Sequence, residues 1–216
     1  GQTEASARLA YLPPEELTRK LGSAGKAIPG VDLRIVGPDG KELPRGETGE
    51  VVARGDNIMV GYWNDPTETA RVLRDGALHT GDLARMDDDG FIFIVGRESE
   101  MIKAGAHRIS PREIEDAVER TPGVRECAVV GVPDDMMGQA IAAYVVANEG
   151  QQVDRQKVLR TCLAELPRFK LPEHVLFVPE LPRTPSGKVR RAELVQWFVK
   201  QAAKSDEKSG EGPTAS

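Results

Sequence analysis

Lys188 lies in the run PRTPSGKVRR (182–191), behind a Ser-Gly pair, with Pro182 and Pro185 before it and Arg190 and Arg191 after it. A lysine so placed could belong to a phosphate-cradling loop, to a basic surface patch, or to a loop that holds one cation for a reaction. A Walker phosphate loop needs glycine five positions before the Gly-Lys pair and Ser or Thr after the lysine. Here Pro182 and Val189 occupy those positions, so that chemistry is excluded. The prolines stiffen the approach and Gly187 lets the backbone turn tightly. A lysine at such a tip is a point charge with three donors, suited to negative charge that builds up in a transition state. Taken alone, the run leaves the patch and the held cation both open.

Other residues of chemical type read more plainly. DDDG (87–90) invites a metal, but calcium loops space carboxylates at alternate positions and add a distal glutamate. This run does neither, so it reads as a hairpin turn. His107 has no partner in sequence for acid-base work and reads as a packing or surface residue. Cys127 and Cys162 lie far apart and read as packed thiols in a reducing compartment. That points to the cytoplasm, as does the absence of a signal-like start or of an apolar run near the ~20 residues of a membrane helix. Charged residues make up 29% and hydrophobic ones 39% of the 216 residues, an ordinary globular balance. The net charge of -5 argues against general nucleic-acid binding.

The elements that must position these residues follow from periodicity. Residues 31–36, 49–54 and 91–95 read as strands separated by Gly-rich turns, and residues 1–96 as an all-β piece. Ser110-Pro111-Arg112-Glu113 has the form of a capping box, with Ile114, Ala117 and Val118 at helical spacing behind it and TPG (121–123) as the stop. Residues 124–132, 140–147 and 174–178 read as strands. Residues 154–166 read as a helix burying Val158, Leu159, Cys162, Leu163 and Leu166, and residues 191–202 as a last helix with Leu194, Trp197 and Phe198 inward. The tail, 203–216, lacks large apolar residues and is expected to be disordered.

Six motifs occur in order: GQTE (1–4), GEVVARGDNIMVGYW (49–63), HTGD (79–82), GRESEMIKAGAHRISPREIE (96–115), LPRFKLP (166–172) and PRTPSGKVRR. Together they resemble the adenylate-forming (AMP-binding) enzyme superfamily of acyl-CoA synthetases, peptide-synthetase adenylation domains and firefly-type luciferases. The resemblance implies an α+β chain. Residues 1–96 would be the C-terminal β-barrel part of the large AMP-binding domain, and 97–202 a small mobile α+β lid. It also implies two half-reactions: a carboxylate attacks the ATP α-phosphate to give an acyl-adenylate, and a thiol then takes the acyl group.

By the same resemblance Lys188 bridges the carboxylate and the α-phosphate. Thr3 approaches that phosphate and Glu4 holds Mg2+. Asp82 binds the ATP ribose and Arg97 the ribose or phosphates. Ser99 is the hinge about which the lid turns, and Gly105 and Ala106 line the thiol tunnel. Ser99 stands where Asp or Lys is usual, and Ala106 where glycine is usual, which puts thiolation in question more than adenylation. MIKAGA departs from the QVKIRG-like run of peptide synthetases, and VPDDMMGQ (132–139) resembles a CoA-ligase loop. Coenzyme A is therefore the expected acceptor, with a carrier protein as the alternative. Gly1 stands where an initiator methionine would. The chain thus reads as a C-terminal fragment whose N-terminal part carries the pyrophosphate loop and acyl pocket. Alone it is expected to be inactive, or to be a truncated pair of domains that only binds.

Overall fold

The computed structural model describes the backbone of residues 1–209 and side chains as far as Gln201. The chain divides into two compact units, Gly1–Ser99 and Glu100–Ser216.

The first unit opens with a ribbon of β1 (Ala10–Tyr11) and β2 (Lys26–Ala27). Then come β3 (Val31–Val36), β4 (Thr48–Gly55), α1 (Pro66–Val72), β5 (Leu73–Arg74), β6 (Ala77–Met86) and β7 (Ile92–Arg97). These strands form a five-stranded sheet in the order β3-β4-β6-β5, with β7 also paired to β6. This sheet and the ribbon are what residues 1–99 make of the expected barrel part. In β3, Leu33 and Ile35 enter the core while Asp32 and Arg34 face out and pair with each other, the two-residue period of a half-buried strand. The DDDG segment is a turn between β6 and β7: the Asp87 carboxylate accepts the Phe91 N–H (2.8 Å), the Asp87 N–H donates to the Phe91 carbonyl (2.9 Å), and Gly90 sits at φ +83. Phe91 belongs to that turn and is buried beneath Lys20 and Lys26, so β7 starts one residue later than the apolar run suggests.

An all-β reading of this unit is corrected by α1. Its signal is a cap, not a stripe: the Asp65 carboxylate accepts the Glu68 N–H at 2.9 Å and Pro66 takes the first helical position. Only Val72 of the helix is buried, so no periodic apolar face advertises it.

The second unit contains β8 (Ile102–Ala104), β9 (His107–Ile109), α2 (Pro111–Glu119), β10 (Val124–Asp134), β11 (Gly138–Ala147), α3 (Arg155–Glu165), β12 (His174–Phe177) and α4 (Arg191–Ser209). The sheet runs β10-β11-β8-β9, and β12 joins β11 in parallel. Alternate residues of β10 and β11 supply two cores. Val129, Ile141 and Val145 pack with Ile114, Val118, Val158 and Cys162 from α2 and α3. Val130, Val132 and Tyr144 pack with Leu194 of α4 on the other face. Burial on both faces explains why these strands read as continuous apolar runs. The Tyr144 hydroxyl donates to the Leu194 carbonyl at 2.8 Å, which satisfies the phenol inside the core and ties α4 to β11.

Three local expectations change. Ser110 is the N-cap and Pro111 the first helical residue, but the serine side chain makes no cap bond, and Glu113 instead takes Lys170 at 2.6 Å, so the capping box does not close. Leu163, expected in the α3 stripe, is 51% exposed, because α3 buries only Val158 and Cys162 deeply. The last helix continues to Ser209, past the predicted end at 202. The remainder of the predicted disordered tail, 210–216, lies outside the described residues.

Candidate functional site

In the first unit, Thr3 and Glu4 share one tight helical turn, Thr3–Ala5. Ala5 is fully buried and pins the turn to the core. The chain then passes through Ser6 and Ala7 at φ +43 and +74, a left-handed conformation that costs a residue with a Cβ roughly 1–2 kcal/mol. Asn57 holds this bend, its amide donating to the carbonyls of Ala5 (3.0 Å) and Arg8 (2.8 Å), while Met59 N–H donates to the Glu4 carbonyl (2.8 Å). The Tyr62 hydroxyl donates to Glu4 Oε1 at 2.6 Å. That bond, with burial behind it, pushes the phenol up to about 12. Thr3 beside it is exposed. Asn57 and Tyr62 were not singled out from sequence, although both lie inside GEVVARGDNIMVGYW.

Asp82 and Arg97 are brought together as cross-strand partners on β6 and β7, with Arg97 Nε 3.0 Å from Asp82 Oδ1. The strand is irregular here, with register shifts on both sides of Asp82. The irregularity is braced by polar groups. Thr80 Oγ1 donates to the Val51 carbonyl (2.8 Å) and accepts the Asp82 N–H (3.1 Å). Glu50 accepts the Gly81 N–H (3.1 Å) and bonds His79 Nδ1 (2.8 Å). Gly81 sits at φ +70, which L side chains rarely adopt. The HTGD motif therefore spells out a kink that turns the Asp82 carboxylate to the Arg97 edge. Glu50 went unnoticed in sequence because its role depends on a neighbour about thirty positions away, |i−j| = 31 for Gly81.

Among the described residues no group of three His, Cys, Asp or Glu forms a metal cage. A single half-buried carboxylate such as Glu4 still fits Mg2+, which commonly takes one or two carboxylates and completes its shell with phosphate oxygens and water.

Ser99 lies in a short helical turn, Glu98–Glu100, and is the last residue of the first unit. In the second unit Gly105 and Ala106 form the turn between β8 and β9. Gly105 sits at φ +57, donates its N–H to the Met137 carbonyl (2.8 Å), and lies under the Met137 side chain so closely that a Cβ would come within 2.8 Å of the methyl. Ala106 is exposed. His107 stacks on Phe169 with ring centroids 4.3 Å apart, a packing role.

Lys188 stands on a self-braced loop. Arg183 and Val189 form a bridge at its base, and Arg190 N–H donates to the Pro182 carbonyl (2.8 Å). Inside it, Gly187 N–H donates to the Thr184 carbonyl (2.9 Å), Lys188 N–H to Thr184 Oγ1 (3.1 Å), and Arg183 to the Gly187 carbonyl (2.7 Å). Arg183 also pairs with Glu126. The Lys188 ammonium is exposed and makes no ion pair among the described residues. The adjacent arginines do not form a patch with it: Arg190 pairs with Glu193 (2.9 Å), and Arg191 turns in toward Glu115 and Glu100. The structure thus separates the two readings of PRTPSGKVRR: neutralised arginines, and one cation presented by a rigid loop.

Two family models match the chain: AMP-binding enzyme over residues 1–63 and AMP-binding enzyme C-terminal domain over residues 113–188. The chain is 44% identical to an indoleacetate–CoA ligase of Aromatoleum aromaticum, covering 93% of this chain and 39% of that protein. It is 41% identical to a feruloyl-CoA synthase of an Amycolatopsis species, over 92% of this chain and 40% of that one. Among solved structures, ATP-bound MatB from Rhodopseudomonas palustris matches with a TM-score of 0.78 and 39% identity, over 82% of this chain and 36% of its own. The o-succinylbenzoate CoA synthetase of Bacillus subtilis, solved with its acyl-adenylate intermediate, matches with a TM-score of 0.84 and 32% identity, over 90% of this chain and 40% of its own. The chain spans about two fifths of the length of the curated relatives it matches.

Proposed function

The chain belongs to the AMP-binding enzyme family, and from that premise we propose that the protein carrying it is an AMP-forming acid–thiol ligase that activates a carboxylic acid with ATP and passes it to coenzyme A. The observation that carries the proposal is Lys188, a single un-neutralised cation on a loop whose hydrogen bonds leave its backbone little freedom. Two anions, carboxylate and α-phosphate, must approach each other in adenylation. A cation between them lowers their repulsion most as the new bond forms, which raises the rate instead of merely tightening binding.

The remaining roles form one scheme. Thr3 approaches the α-phosphate, and Glu4, oriented by Tyr62, offers Mg2+ a carboxylate; the ion supplies charge neutralisation on the phosphates. The Asp82 carboxylate has two acceptor oxygens, enough for both ribose hydroxyls, and Arg97 beside it offers donors to the ribose or phosphates. Residues 1–96 serve as the end of the larger adenylating domain and 97–202 as the mobile lid. The division at Ser99 and Glu100 supports placing the hinge at Ser99. After the lid turns, Gly105 and Ala106 line the path of the incoming thiol. The names of the CoA-ligase relatives favour coenzyme A over a carrier protein, the alternative acceptor. The missing acyl pocket and pyrophosphate loop are assigned to an N-terminal part of the same protein. The cytoplasm is the compartment proposed, and the two free, buried thiols are in keeping with it.

The test is a panel of carboxylic acids given to the whole protein with ATP, Mg2+ and coenzyme A. Acid-dependent release of pyrophosphate and AMP, with formation of a thioester, is the expected result and names the acid. Acid-dependent release of ADP and phosphate would refute the adenylate route. Pyrophosphate release without a CoA thioester, restored by a phosphopantetheinyl carrier, would replace the acceptor.

A further inference from the structure

Arg191, the first residue of α4, sends its guanidinium in three directions. Nη1 donates to Glu115 Oε1 (2.6 Å) and to the Val129 carbonyl (3.0 Å), Nη2 reaches Glu115 Oε2 (3.3 Å), and Nε lies 3.2 Å from Glu100 Oε2. Glu115 also accepts the Val129 N–H at 2.8 Å. These partners belong to three separate stretches of the second unit. Glu115 is on α2 and Val129 on β10, while Glu100 is the residue with which the unit begins, directly after Ser99. Arg191 itself directly follows the residue that closes the lysine loop, since Arg190 N–H is bonded to the Pro182 carbonyl.

The two acidic partners are not equivalent. The Glu115 side chain is 14% exposed and bonded to backbone as well as to Arg191, so it is part of how α2, β10 and α4 hold together. The Glu100 side chain is 41% exposed and adds nothing to any core. A screened pair of that kind contributes little to stability. Its geometry is what distinguishes it: it joins the segment that enters the unit to the base of the loop that carries Lys188. Only a guanidinium can do this, because its planar fork serves acceptors in several fixed directions where an ammonium is a single point.

We propose that Arg191 is a positioning residue for adenylation, tying the lysine loop to Glu100 so that Lys188 follows the entry segment without slack when the unit turns at Ser99. The proposal rests on the adenylation role of Lys188 and the hinge at Ser99 given above. Loosening the tie misplaces Lys188 and leaves the thiol path, on the β8–β9 turn, untouched.

The test uses the whole protein with Glu100→Ala, a change at an exposed side chain that leaves the Glu115 arm intact. Acid-dependent pyrophosphate release should fall about tenfold in kcat with the KM for ATP unchanged, since a small misplacement of a positioned group suffices for such a loss. Thiolation of supplied acyl-adenylate should be retained, and Glu100→Gln, which keeps an acceptor for Nε, should recover part of the rate. In an Arg191→Lys background, adding Glu100→Ala should cost nothing further. Equal loss in both half-reactions, an unchanged rate, or two effects that simply multiply would each overturn the tie. Lys188→Ala run alongside separates the two ways of failing. Intact pyrophosphate release there overturns the role of the lysine and the tie with it. Loss there, with no effect of Glu100→Ala, overturns the tie alone.

Discussion

Tyr62 donates its phenol hydrogen to Glu4 across 2.6 Å, joining the first turn of the chain to the end of the NIMVGYW loop. The bond explains why the carboxylate assigned to Mg2+ has a defined direction although it stands on a turn of three residues.

The bond also predicts a titration. The phenol is raised to about 12, the Glu4 hydrogen bond being the largest cause and burial the next. An unperturbed tyrosine ionises near ~10. The folded pKa lies above the unfolded one, so the contribution to stability is fully present below about pH 10 and is lost as pH rises through the folded value. Tyr144, held up to about 12 by burial alone, titrates in the same range. Phenolate absorbance of the native protein should therefore show two late tyrosines, and Tyr62→Phe should remove one. An unchanged late step in Tyr62→Phe would mean that the bond to Glu4 does not persist in solution.

Lys188→Ala should reduce acid-dependent pyrophosphate release by about 10²–10³-fold, the usual loss for one preorganised charge-stabilising donor. Thermal stability should not change, because the ammonium is exposed and makes no ion pair among the described residues. Thiolation of supplied acyl-adenylate should survive. A parallel fall in both half-reactions would point to general damage to the loop.

Asp82→Asn separates nucleotide binding from folding. The pair with Arg97 is partly exposed, so its loss should cost the fold no more than ~1 kcal/mol. The amide keeps one acceptor oxygen, and the charge-assisted bonds it forfeits correspond to roughly a 10- to 100-fold rise in the KM for ATP. Steady-state kinetics and a melting curve on the same sample decide the matter. A large drop in melting temperature with unchanged KM would make Asp82 a bracing residue of the β6 kink instead.

Ala106→Gly should leave adenylation as it is and speed thiolation if the methyl narrows the thiol path. An unchanged thiolation rate would dispose of the narrowing. The neighbouring change, Gly105→Ala, should destabilise the protein by roughly 1–2 kcal/mol, from the left-handed backbone alone, and more if Met137 cannot move off.

The second unit was legible where burial writes continuously into the sequence. CAVVGV and AIAAYVV are apolar throughout because each strand faces a core on both sides. The spacing of Ile114, Ala117 and Val118 likewise marked α2. Legibility failed where one residue carries the signal. Helix α1 has a cap and a single buried valine, and Leu163 obeys helical spacing without a surface to meet. At the candidate site, motif order singled out Lys188, Asp82 and Arg97, but their supports could not be read. Tyr62 is 58 positions from Glu4, and Arg191 is 76 from Glu115. A pair of arginines after a lysine looks like surface charge until the fold brings acids to them from elsewhere.

β10 lies at the end of its sheet, with β11 on one side only. A long apolar strand in that position normally invites a foreign strand to add to it. Here three outward backbone groups in the middle of the strand are already taken by side chains: Val129 N–H by Glu115, the Val129 carbonyl by Arg191, and Cys127 N–H by Glu119 at 3.4 Å. The cluster that braces the lysine loop is therefore also a guard against edge-to-edge aggregation. Wherever evolution or an engineer replaces Arg191 or Glu115 by an apolar residue, solubility is at stake along with the packing of α2, β10 and α4.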